Sequence, residues 1–382
     1  MNRNRKTRSI LICVLVATGI LLIVDRNSKA DFTFGEPKNL GPTINSSSGD
    51  IPDCFSSDGL EMYLHSYNRP GGYGGWDIWV STKQMSEQTS EDYWSEPQNL
   101  GPPVNTGRTE DGASISDDGL DLYFDSYNRS GGYGGWDIWI TRRATKDDPW
   151  GEPVNLGPVV NSSSIEACPW ISSDELELYF CAVNRTGGYG DADIWVTRRV
   201  TKDDPWGEPT NLGPMVNSSA CEAFPSLSSD GLLLFFSEEI NTTLRPGGYG
   251  NVDIWVTRRT SVSGPWDTPV NIGSVVNSPN LDGIPRISPD GSMLYFCSER
   301  PGGLGGTYGD IYQAHIIPIV DLNSDGIVDA DDMCIMVDNW GTNNSLCDIG
   351  PMPWGNGIVD VEDLIVLAKH LFEEIPPADP NI

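Results

Sequence analysis

The sequence predicts a mainly β protein in which a five-bladed β-propeller precedes a small α-helical domain. The first observation is a repeat that opens with one short phrase. Successive starts of this phrase lie 60, 56, 56 and 60 residues apart, at Phe34, Trp94, Trp150, Trp206 and Trp266. The second observation is that each repeat holds four short apolar runs rich in Val, Ile, Tyr, Phe and Trp. No helical period occurs before residue 320, so each repeat predicts one four-stranded blade.

The turn between the second and third runs of a repeat predicts a tight hairpin. Asp-Gly stands there in four repeats, and Asp174-Glu175 takes its place in the third. Asp and Gly both tolerate the positive φ that a two-residue hairpin needs. The last repeat ends at residues 310–316 without an outer strand, whereas a lone GEPKNLG strand at 35–41 precedes the first. We therefore predict that the N-terminal strand closes the ring in the last blade; an open stack of β repeats is the alternative.

Charge and the N-terminal segment restrict the compartment and the partners. The formal net charge of −30 opposes binding to nucleic acid or to an anionic membrane surface. Residues 1–30 are predicted to be a signal peptide, because basic residues precede an apolar core at 10–24 and Ser28-Lys29-Ala30 offers a cleavage site. The apolar run is short for a membrane span, although an uncleaved anchor is the alternative. We expect a secreted or cell-surface protein, extracellular or periplasmic, with no stable membrane span after cleavage.

Seven cysteines would remain after cleavage, and an odd number leaves at least one of them unpaired. Cys168 and Cys181 are symmetric about the third hairpin turn, and Cys334 and Cys347 flank a short connection near the C-terminus. Both pairs are candidates for disulfides in an oxidising compartment.

Strand alternation places the long loops of every repeat on one face of the predicted propeller. One acid per repeat would ring the channel mouth on that face: Asp50, Glu110, Glu166, Glu222 and Asp282. A glycine-rich loop in each repeat adds an arginine, such as Arg69 and Arg129, and then a tyrosine. The first two repeats add Trp76 and Trp136. Acids, guanidinium groups and aromatic faces together suit a saccharide, although features shared by every blade are often architectural.

Sequence motifs for catalysis are scarce. The three histidines occur in unrelated contexts, and no Gly-x-Ser-x-Gly, zinc or phosphate-loop motif is present. A glycoside hydrolase needs only two suitably spaced carboxylates, so a hydrolase or lyase that uses the mouth acids is an alternative function. The sequence designates no catalytic residue. We expect a carbohydrate- or protein-binding propeller, with a glycoside hydrolase or lyase and a structural surface protein as alternatives.

The C-terminal segment contains two candidate calcium loops. The first, DLNSDGIVDADD at 321–332, places oxygen ligands at the spacing of a calcium-binding loop: Asp321, Asn323, Asp325, the Ile327 carbonyl, Asp329 and Asp332. The second loop is expanded by a Pro-Met-Pro-Trp insertion, and its candidate ligands are Asp348, Asn356, the Ile358 carbonyl, Asp360 and Asp363. A helix is predicted after each loop, at 330–339 and 361–373. The expected cofactor is therefore Ca²⁺.

Two family resemblances follow from these motifs. The paired loop–helix units, the first reading DxNxDGxxDxxD, resemble a type I dockerin, which implies calcium-dependent folding, docking onto a cohesin-like partner and an association with polysaccharide breakdown. The expanded second loop departs from that pattern. Residues 34–313 resemble WD40-like, TolB-type propeller repeats through the S-x-D-G turn and the DI[WY] strand, which implies fold more than activity. The predicted division is a signal peptide at 1–30, a propeller at 31–315, a dockerin-like domain at 316–376 and a tail at 377–382.

Overall fold

The computed structural model describes residues 32–84, 93–239, 242–304, 309–323, 327–342, 347–350 and 358–372. The predicted signal peptide and the tail at 377–382 lie outside these ranges. Within them, the chain forms five antiparallel sheets, followed by two short helices. No helix in this part of the chain combines the length and the apolar character needed to cross a membrane.

The first three sheets each run outward from the channel in chain order. The first contains β3 (Asp50–Phe55), β4 (Glu61–Tyr67), β5 (Trp76–Gln84) and β7 (Gln98–Asn99), with β6 (Tyr93–Trp94) on the far end of β5. The second contains β8 (Thr109–Ile115), β9 (Asp121–Tyr127), β10 (Trp136–Arg142) and β11 (Val154–Asn155). The third contains β12 (Ile165–Ile171), β13 (Glu177–Val183), β14 (Ala192–Arg198) and β15 (Thr210–Asn211).

The last two sheets complete the ring. The fourth contains β16 (Ala223–Leu227), β17 (Leu233–Ser237), β18 (Ile254–Arg258) and β19 (Val270–Asn271). The fifth contains β20 (Asp282–Ile287), β21 (Met293–Ser298) and β22 (Asp310–Pro318), joined by β1 (Phe32–Phe34) and β2 (Lys38–Asn39). Each inner strand contacts the inner strand of the next blade, and β20 contacts β3. The predicted five-bladed propeller is therefore confirmed, and an open stack is wrong.

The N-terminal segment closes the ring, as the phase of the repeat predicts. Strand β2 takes the outer place in the last blade, with Lys38 opposite Gln313 and Asn39 opposite Tyr312. Strand β1 pairs with the far end of β22, where Phe34 faces Ile316. The side chains of Phe32 and Phe34 are buried in the core formed between blades four and five. Closure therefore combines backbone pairing with apolar burial.

One asparagine per blade holds the segment that crosses to the next blade. Asn105 accepts a hydrogen bond from the Ile78 amide at 2.9 Å and donates one to the Ile78 carbonyl at 2.8 Å. Its side chain also donates to the side-chain oxygen of Asn99, the last residue of the outer strand β7. The N-terminal copy, Asn45, makes the same pair of bonds with Ile311 of the last blade. The crossing is thereby fixed to the third strand of the blade that it leaves.

The C-terminal helices are α1 (Ala330–Asp338) and α2 (Val361–Lys369), close to the predicted spans. Each begins with the same capping box, formed by Asp329 with Asp332 and by Asp360 with Asp363. A separate apolar core, which includes Val320, Val328, Met336, Val359 and Leu367, lies under the two helices. The described structure thus contains two similar loop–helix units, which by themselves do not identify the segment as a dockerin.

The predicted disulfides are not formed, because all seven cysteines of the described residues are free thiols. Cys181 lies opposite Ala167, and a β-bulge between Ala167 and Trp170 displaces Cys168 from the paired position. In the C-terminal domain, Cys334 is exposed whereas Cys347 is buried. Cys168 and Cys181 nevertheless lie in one buried cluster and their thiols interact, so the bulge shifts the backbone register without moving the two side chains apart.

The closure predicts that Phe34→Ala destabilises the whole propeller. Truncation of a buried Phe costs about 3–5 kcal/mol, and here it loosens the strand that completes the last blade. Removal of residues 31–42 is expected to lower the melting temperature further, because it also exposes a sheet edge. Thermal and urea unfolding measure both effects. The matched control is Thr33→Ala, which changes an exposed side chain of the same strand; equal melting of Phe34→Ala and the parent would contradict the closure.

Candidate functional site

The five acids predicted at the channel mouth all lie where a crossing segment enters the inner strand of its blade. All five are fully buried. Each carboxylate accepts a hydrogen bond from the backbone amide four residues earlier, as Glu166 does from Ser162 at 2.7 Å. The other four pairs are Asp50 with Ser46, Glu110 with Thr106, Glu222 with Ser218 and Asp282 with Ser278. Burial raises the pKa of Glu110 and Glu222 despite these bonds.

The recurring arginine of the glycine-rich loop reaches the same acid. Arg69 lies 3.1 Å from Asp50, and Arg129 lies 3.6 Å from Glu110. The remaining pairs are Arg185 with Glu166, Arg245 with Glu222 and Arg300 with Asp282. Arg129 also donates to the carbonyls of Pro103 and Val104 in the crossing segment. The acid–arginine pairs thus tie two loops together in every blade, and their role in ligand binding stays a prediction.

Trp76 and Trp136 stand at the first residue of β5 and of β10, and both are half-buried. The Trp76 ring lies 5.2 Å from the Tyr67 ring and 4.9 Å, edge-on, from the imidazole of His65. The Trp136 ring makes the equivalent tyrosine contact, with Tyr127 at 5.3 Å, but has no histidine beside it because Asp125 stands at the position of His65. Blades three and four have Ala192 and Val252 at this position. The structure therefore gives Trp76 a direct contact with a buried titratable group.

His65 belongs to a polar group that the sequence interpretation missed. We define the channel cluster as Asp53, His65, Asp111, Asp125 and Arg286, which interact electrostatically across blades one, two and five. The Nδ1 atom of His65 lies 2.7 Å from Asp53 Oδ1. Asp111 and Asp125 are direct cross-strand partners in β8 and β9, so their carboxyl groups stand side by side. Both are held inside the propeller near its axis.

Arg286 lies at the other side of the cluster and is almost fully buried. Its guanidinium stacks 5.5 Å from the Trp170 ring centroid and donates to the carbonyls of Phe224 and Pro285. Trp170 also lines a cavity of about 140 Å³ at the opposite mouth, among the hairpin turns. The Arg286–Trp170 pair therefore separates the channel cluster from that mouth. Arg286 Nε and Asp53 Oδ2 have no hydrogen-bond partner among the described residues.

Burial and mutual charge shift the pKa values of the cluster. Burial raises the pKa of Asp125 well above its usual range, and the neighbouring Asp111 raises it further. The pKa of Asp111 is also raised by burial. Burial by itself would lower the pKa of His65, but the Asp53 carboxylate outweighs it and the net shift is upward. The group can therefore hold a protonated carboxyl and an imidazolium at pH values where exposed groups of the same kind have lost their protons.

The signal that could have found this cluster is departure from the repeat. Asp111 aligns with Ile51, Ala167, Ala223 and Gly283 in the other blades. His65 and Asp125 occupy one position of the second strand, where later blades have Cys181, Ser237 and Cys297. The sequence interpretation instead gave weight to acids that recur in all five repeats. Those are the acids that the structure assigns to loop-to-loop pairing.

The first calcium loop of the C-terminal domain brings its twelfth-position acid inward. Asp332 Oδ1 accepts from the amides of Leu322 and Asn323 at 2.7 and 3.1 Å, and Oδ2 accepts from Asp329. The carboxylate therefore faces the start of the loop at Asp321. Ile327 is described, in the same range as Asp329 and Asp332, whereas Asp325 lies outside the described residues.

The second loop repeats this arrangement. Asp363 accepts from the amides of Ile349, Gly350 and Asp360, which places its carboxylate next to Asp348. Ile358 is described, and Asn356 is not. The described residues hold no set of three or more His, Cys, Asp or Glu side chains arranged around a metal position. The oxygen-rich donor set still suits Ca²⁺, which prefers carboxylate and carbonyl ligands.

Comparison with known proteins gives weak likenesses. No protein-family model matches this chain, and no curated protein is significantly similar to it in sequence. The structure is similar to TolB from Acinetobacter baumannii, with a TM-score of 0.43 and 13% identity. The match covers 76% of this chain and 65% of TolB, so this chain spans less than two thirds of the length of that protein.

Two carbohydrate-active enzymes are similar to the same extent. An α-L-arabinofuranosidase from Lactobacillus brevis has a TM-score of 0.43 and 12% identity over 73% of this chain and 92% of that enzyme. A glycoside hydrolase has a TM-score of 0.48 and 10% identity over 78% of this chain and 94% of that enzyme. The propeller is established by the strand pairing of this chain itself.

The channel cluster predicts an unusual pH dependence of stability. A raised pKa in the folded state means that the unfolded chain loses the proton first, so stability falls as pH rises through the folded pKa. We expect Asp125→Asn to be more stable than the parent at neutral pH, and this advantage to vanish at about pH 4. Melting temperatures measured across this range test the sign.

Asp118→Asn is the matched control of opposite sign. Hydrogen bonds from Ser116 and Leu120 outweigh partial burial and lower the pKa of Asp118. This variant should lose stability at neutral pH and match the parent in acid. Parallel stability profiles for Asp125→Asn and the parent would show that Asp125 is not protonated in the folded protein.

Proposed function

We propose that this protein is an exported saccharide-binding propeller whose ligand enters the channel mouth at blades one and two. The observation that carries the proposal is the contact between Trp76 and His65, 4.9 Å between ring centroids. It joins an accessible aromatic surface to buried hydrogen-bonding groups, and among the residues that the structure describes it occurs in blade one alone. Repeated residues explain the fold, whereas a site that breaks the repeat calls for a separate reason.

The chemistry of the site favours a neutral sugar. An indole ring offers a flat face to the C–H side of a sugar ring, while carboxyl and imidazole groups bind hydroxyls in fixed directions. Asp111 is half-buried and Asp53 keeps one carboxylate oxygen without a hydrogen-bond partner among the described residues. The net charge of −30 repels anionic polymers. Export rests on the predicted signal peptide at 1–30.

A second candidate is glycoside hydrolysis at the same position, and the raised pKa of Asp125, caused by burial and by the adjacent Asp111, favours it. A carboxyl group that keeps its proton can protonate the glycosidic oxygen as the bond from that oxygen to the anomeric carbon breaks. A second carboxylate, about 6.5–9.5 Å away and therefore not the adjacent Asp111, then takes a proton from the water molecule whose oxygen attacks the carbon. The mouth acids first considered for this reaction are paired with arginines in every blade. The channel cluster is the better place for it.

One set of variants tests both candidates. Trp76→Ala and Trp136→Ala should each weaken saccharide binding by roughly 1–3 kcal/mol, the scale of a buried apolar side chain, and leave the melting temperature nearly unchanged. Calorimetry with a panel of neutral saccharides measures binding, and release of reducing ends measures hydrolysis. Asp125→Asn should retain binding and, if the protein is a hydrolase, lose product release, because Asp125 is the buried carboxyl that keeps its proton.

The control for these variants is Trp79→Ala. Trp79 is only 5% exposed in the core between blades, so its truncation should unfold the propeller without selectivity for binding. If Trp76→Ala behaves like Trp79→Ala, Trp76 is a core residue and the proposed site is wrong. If no neutral saccharide binds to the parent protein, the function itself is wrong.

We also propose that the C-terminal domain binds Ca²⁺ and docks the propeller onto a cohesin-like partner. The support is the shared arrangement of Asp332 and Asp363, each turned into its own loop and each capping its own helix. The ligands would be the eleven predicted residues of the two loops, of which Asp325 and Asn356 lie outside the described part. Calcium would neutralise acids that otherwise repel one another, and would thereby stabilise the loops.

Calcium removal tests this proposal in the full-length protein. Amide exchange of helices α1 and α2 should be faster in chelator than in calcium, while exchange in the blades stays constant. Asp321→Ala should abolish most of the calcium-dependent protection. Asp331→Ala is the control, because Asp331 is an exposed residue of the first turn and is not a predicted ligand. Equal exchange with and without calcium would contradict calcium-dependent folding.

A further inference from the structure

We propose that four exposed tyrosines form a multivalent surface for a neutral polysaccharide chain, an inference that rests on the proposed saccharide-binding function. One tyrosine stands in the glycine-rich loop of each of the first four blades. Their exposed fractions are 55%, 51%, 51% and 41%, for Tyr73, Tyr133, Tyr189 and Tyr249. We call this set the tyrosine ring. The corresponding Tyr308 of the fifth repeat lies outside the described residues.

The loops hold these side chains in place through the backbone. The amide of Tyr73 donates to Asp77 at 2.7 Å, and Tyr189 donates to Asp193 at 2.9 Å. A Cβ on Gly72 would lie 2.2 Å from Asp77 Oδ2, and the same clash recurs before the other three tyrosines. Only glycine fits there, so the tyrosine is the side chain that the loop offers to solvent. A pre-ordered loop loses little entropy when a ligand binds.

The tyrosine ring follows the seams between blades. On the other side of Tyr73, a Cβ on Gly74 would lie 1.8 Å from the carbonyl oxygen of Arg108, in the crossing segment of the next blade. A Cβ on Gly134, Gly190 or Gly250 would likewise clash with a backbone carbonyl oxygen in the crossing segment of the next blade. Each tyrosine therefore stands at a junction of two blades, on the face that also carries Trp76.

A polysaccharide suits this geometry better than a protein partner. The four tyrosines stand on four different blades, whereas a protein interface normally has a contiguous apolar core. A chain of identical sugar units can meet equivalent tyrosines one after another, and weak contacts then add up through linkage. The net charge of −30 also opposes binding to nucleic acid and to anionic polymers. The ligand class is therefore an extended neutral glycan that also reaches the channel mouth.

The test compares polymers with short fragments of the same sugars. Soluble β-glucan, galactomannan and arabinoxylan, each with its short oligosaccharides, are titrated into the full-length parent and a Tyr133→Ala/Tyr189→Ala/Tyr249→Ala variant. The variant should lose at least about tenfold in apparent affinity for the polymer that binds, through lost avidity, and keep its affinity for the fragment. Phe at the same three positions should restore polymer binding, because the aromatic face remains.

Tyr93→Ala is the matched control, since Tyr93 is 56% exposed on β6, which pairs with the end of β5 remote from Trp76. It should change neither affinity. Unchanged polymer affinity in the triple variant would overturn the tyrosine ring while leaving the channel site intact. Failure of the parent to bind both polymer and fragment would overturn the proposed function together with this inference. If the triple variant loses binding only to a protein partner, the surface is a protein interface and the inference is wrong.

Discussion

The fold depends on how the chain is held as it passes from one blade to the next. At each crossing an asparagine side chain satisfies both backbone groups of one residue in the third strand of the preceding blade. The pairs are Asn45–Ile311, Asn105–Ile78, Asn161–Ile138, Asn217–Ile194 and Asn277–Ile254. The residue that follows the two-residue outer strand donates only to the carbonyl of this third-strand residue, as Leu100 does to Ile78, so the amide depends on the asparagine. Buried amides without partners cost free energy. The first pair joins the chain's start to its last blade, so the same interaction closes the ring.

The acid–arginine pairs extend this constraint to the loops. The arginine reaches the crossing segment through its carbonyls, while the acid at the start of the inner strand binds an amide of the same segment. A buried carboxylate is tolerated only when it is paired and hydrogen-bonded, and here both conditions are met in every blade. The residues that recur five times are therefore occupied in holding the blades together. Residues near the propeller axis take no part in these pairs and can therefore differ from blade to blade.

The channel cluster lies among these variable residues, and its buried acids reduce the stability of the fold. Asp111 and Asp125 place two acids opposite each other on neighbouring strands, an arrangement that opposes folding once both are charged. The shifted pKa values follow from burial and from this proximity. Groups kept in an unfavourable setting within an otherwise regular fold are typical of functional positions. The glycine-rich loops add a second, more exposed surface on the same face, with rigid aromatic positions around it.

The sequence alone determined the features that depend on local pattern. The period of the repeat and its Asp-Gly turns predicted five blades, and the displaced strand at 35–41 predicted how the ring closes. The spacing of oxygen ligands around Gly326 and its partial repeat at 356–363 predicted two loop–helix units, and the structure describes two such helices. These features follow from residues that are near one another in the chain, or from copies that can be compared directly.

Tertiary structure alone decided what each polar residue contacts. Burial of the mouth acids depends on arginines about 20 residues away, and the channel cluster combines residues from three blades. Asp111 faces Asp125 because of the register between β8 and β9, and a bulge in β12 moves Cys168 away from the position opposite Cys181. Register and bulges arise from the packing of strands around the axis, because one residue of displacement sends a side chain to the other face of the sheet. Sequence pattern carries the period of the blades, but not these displacements.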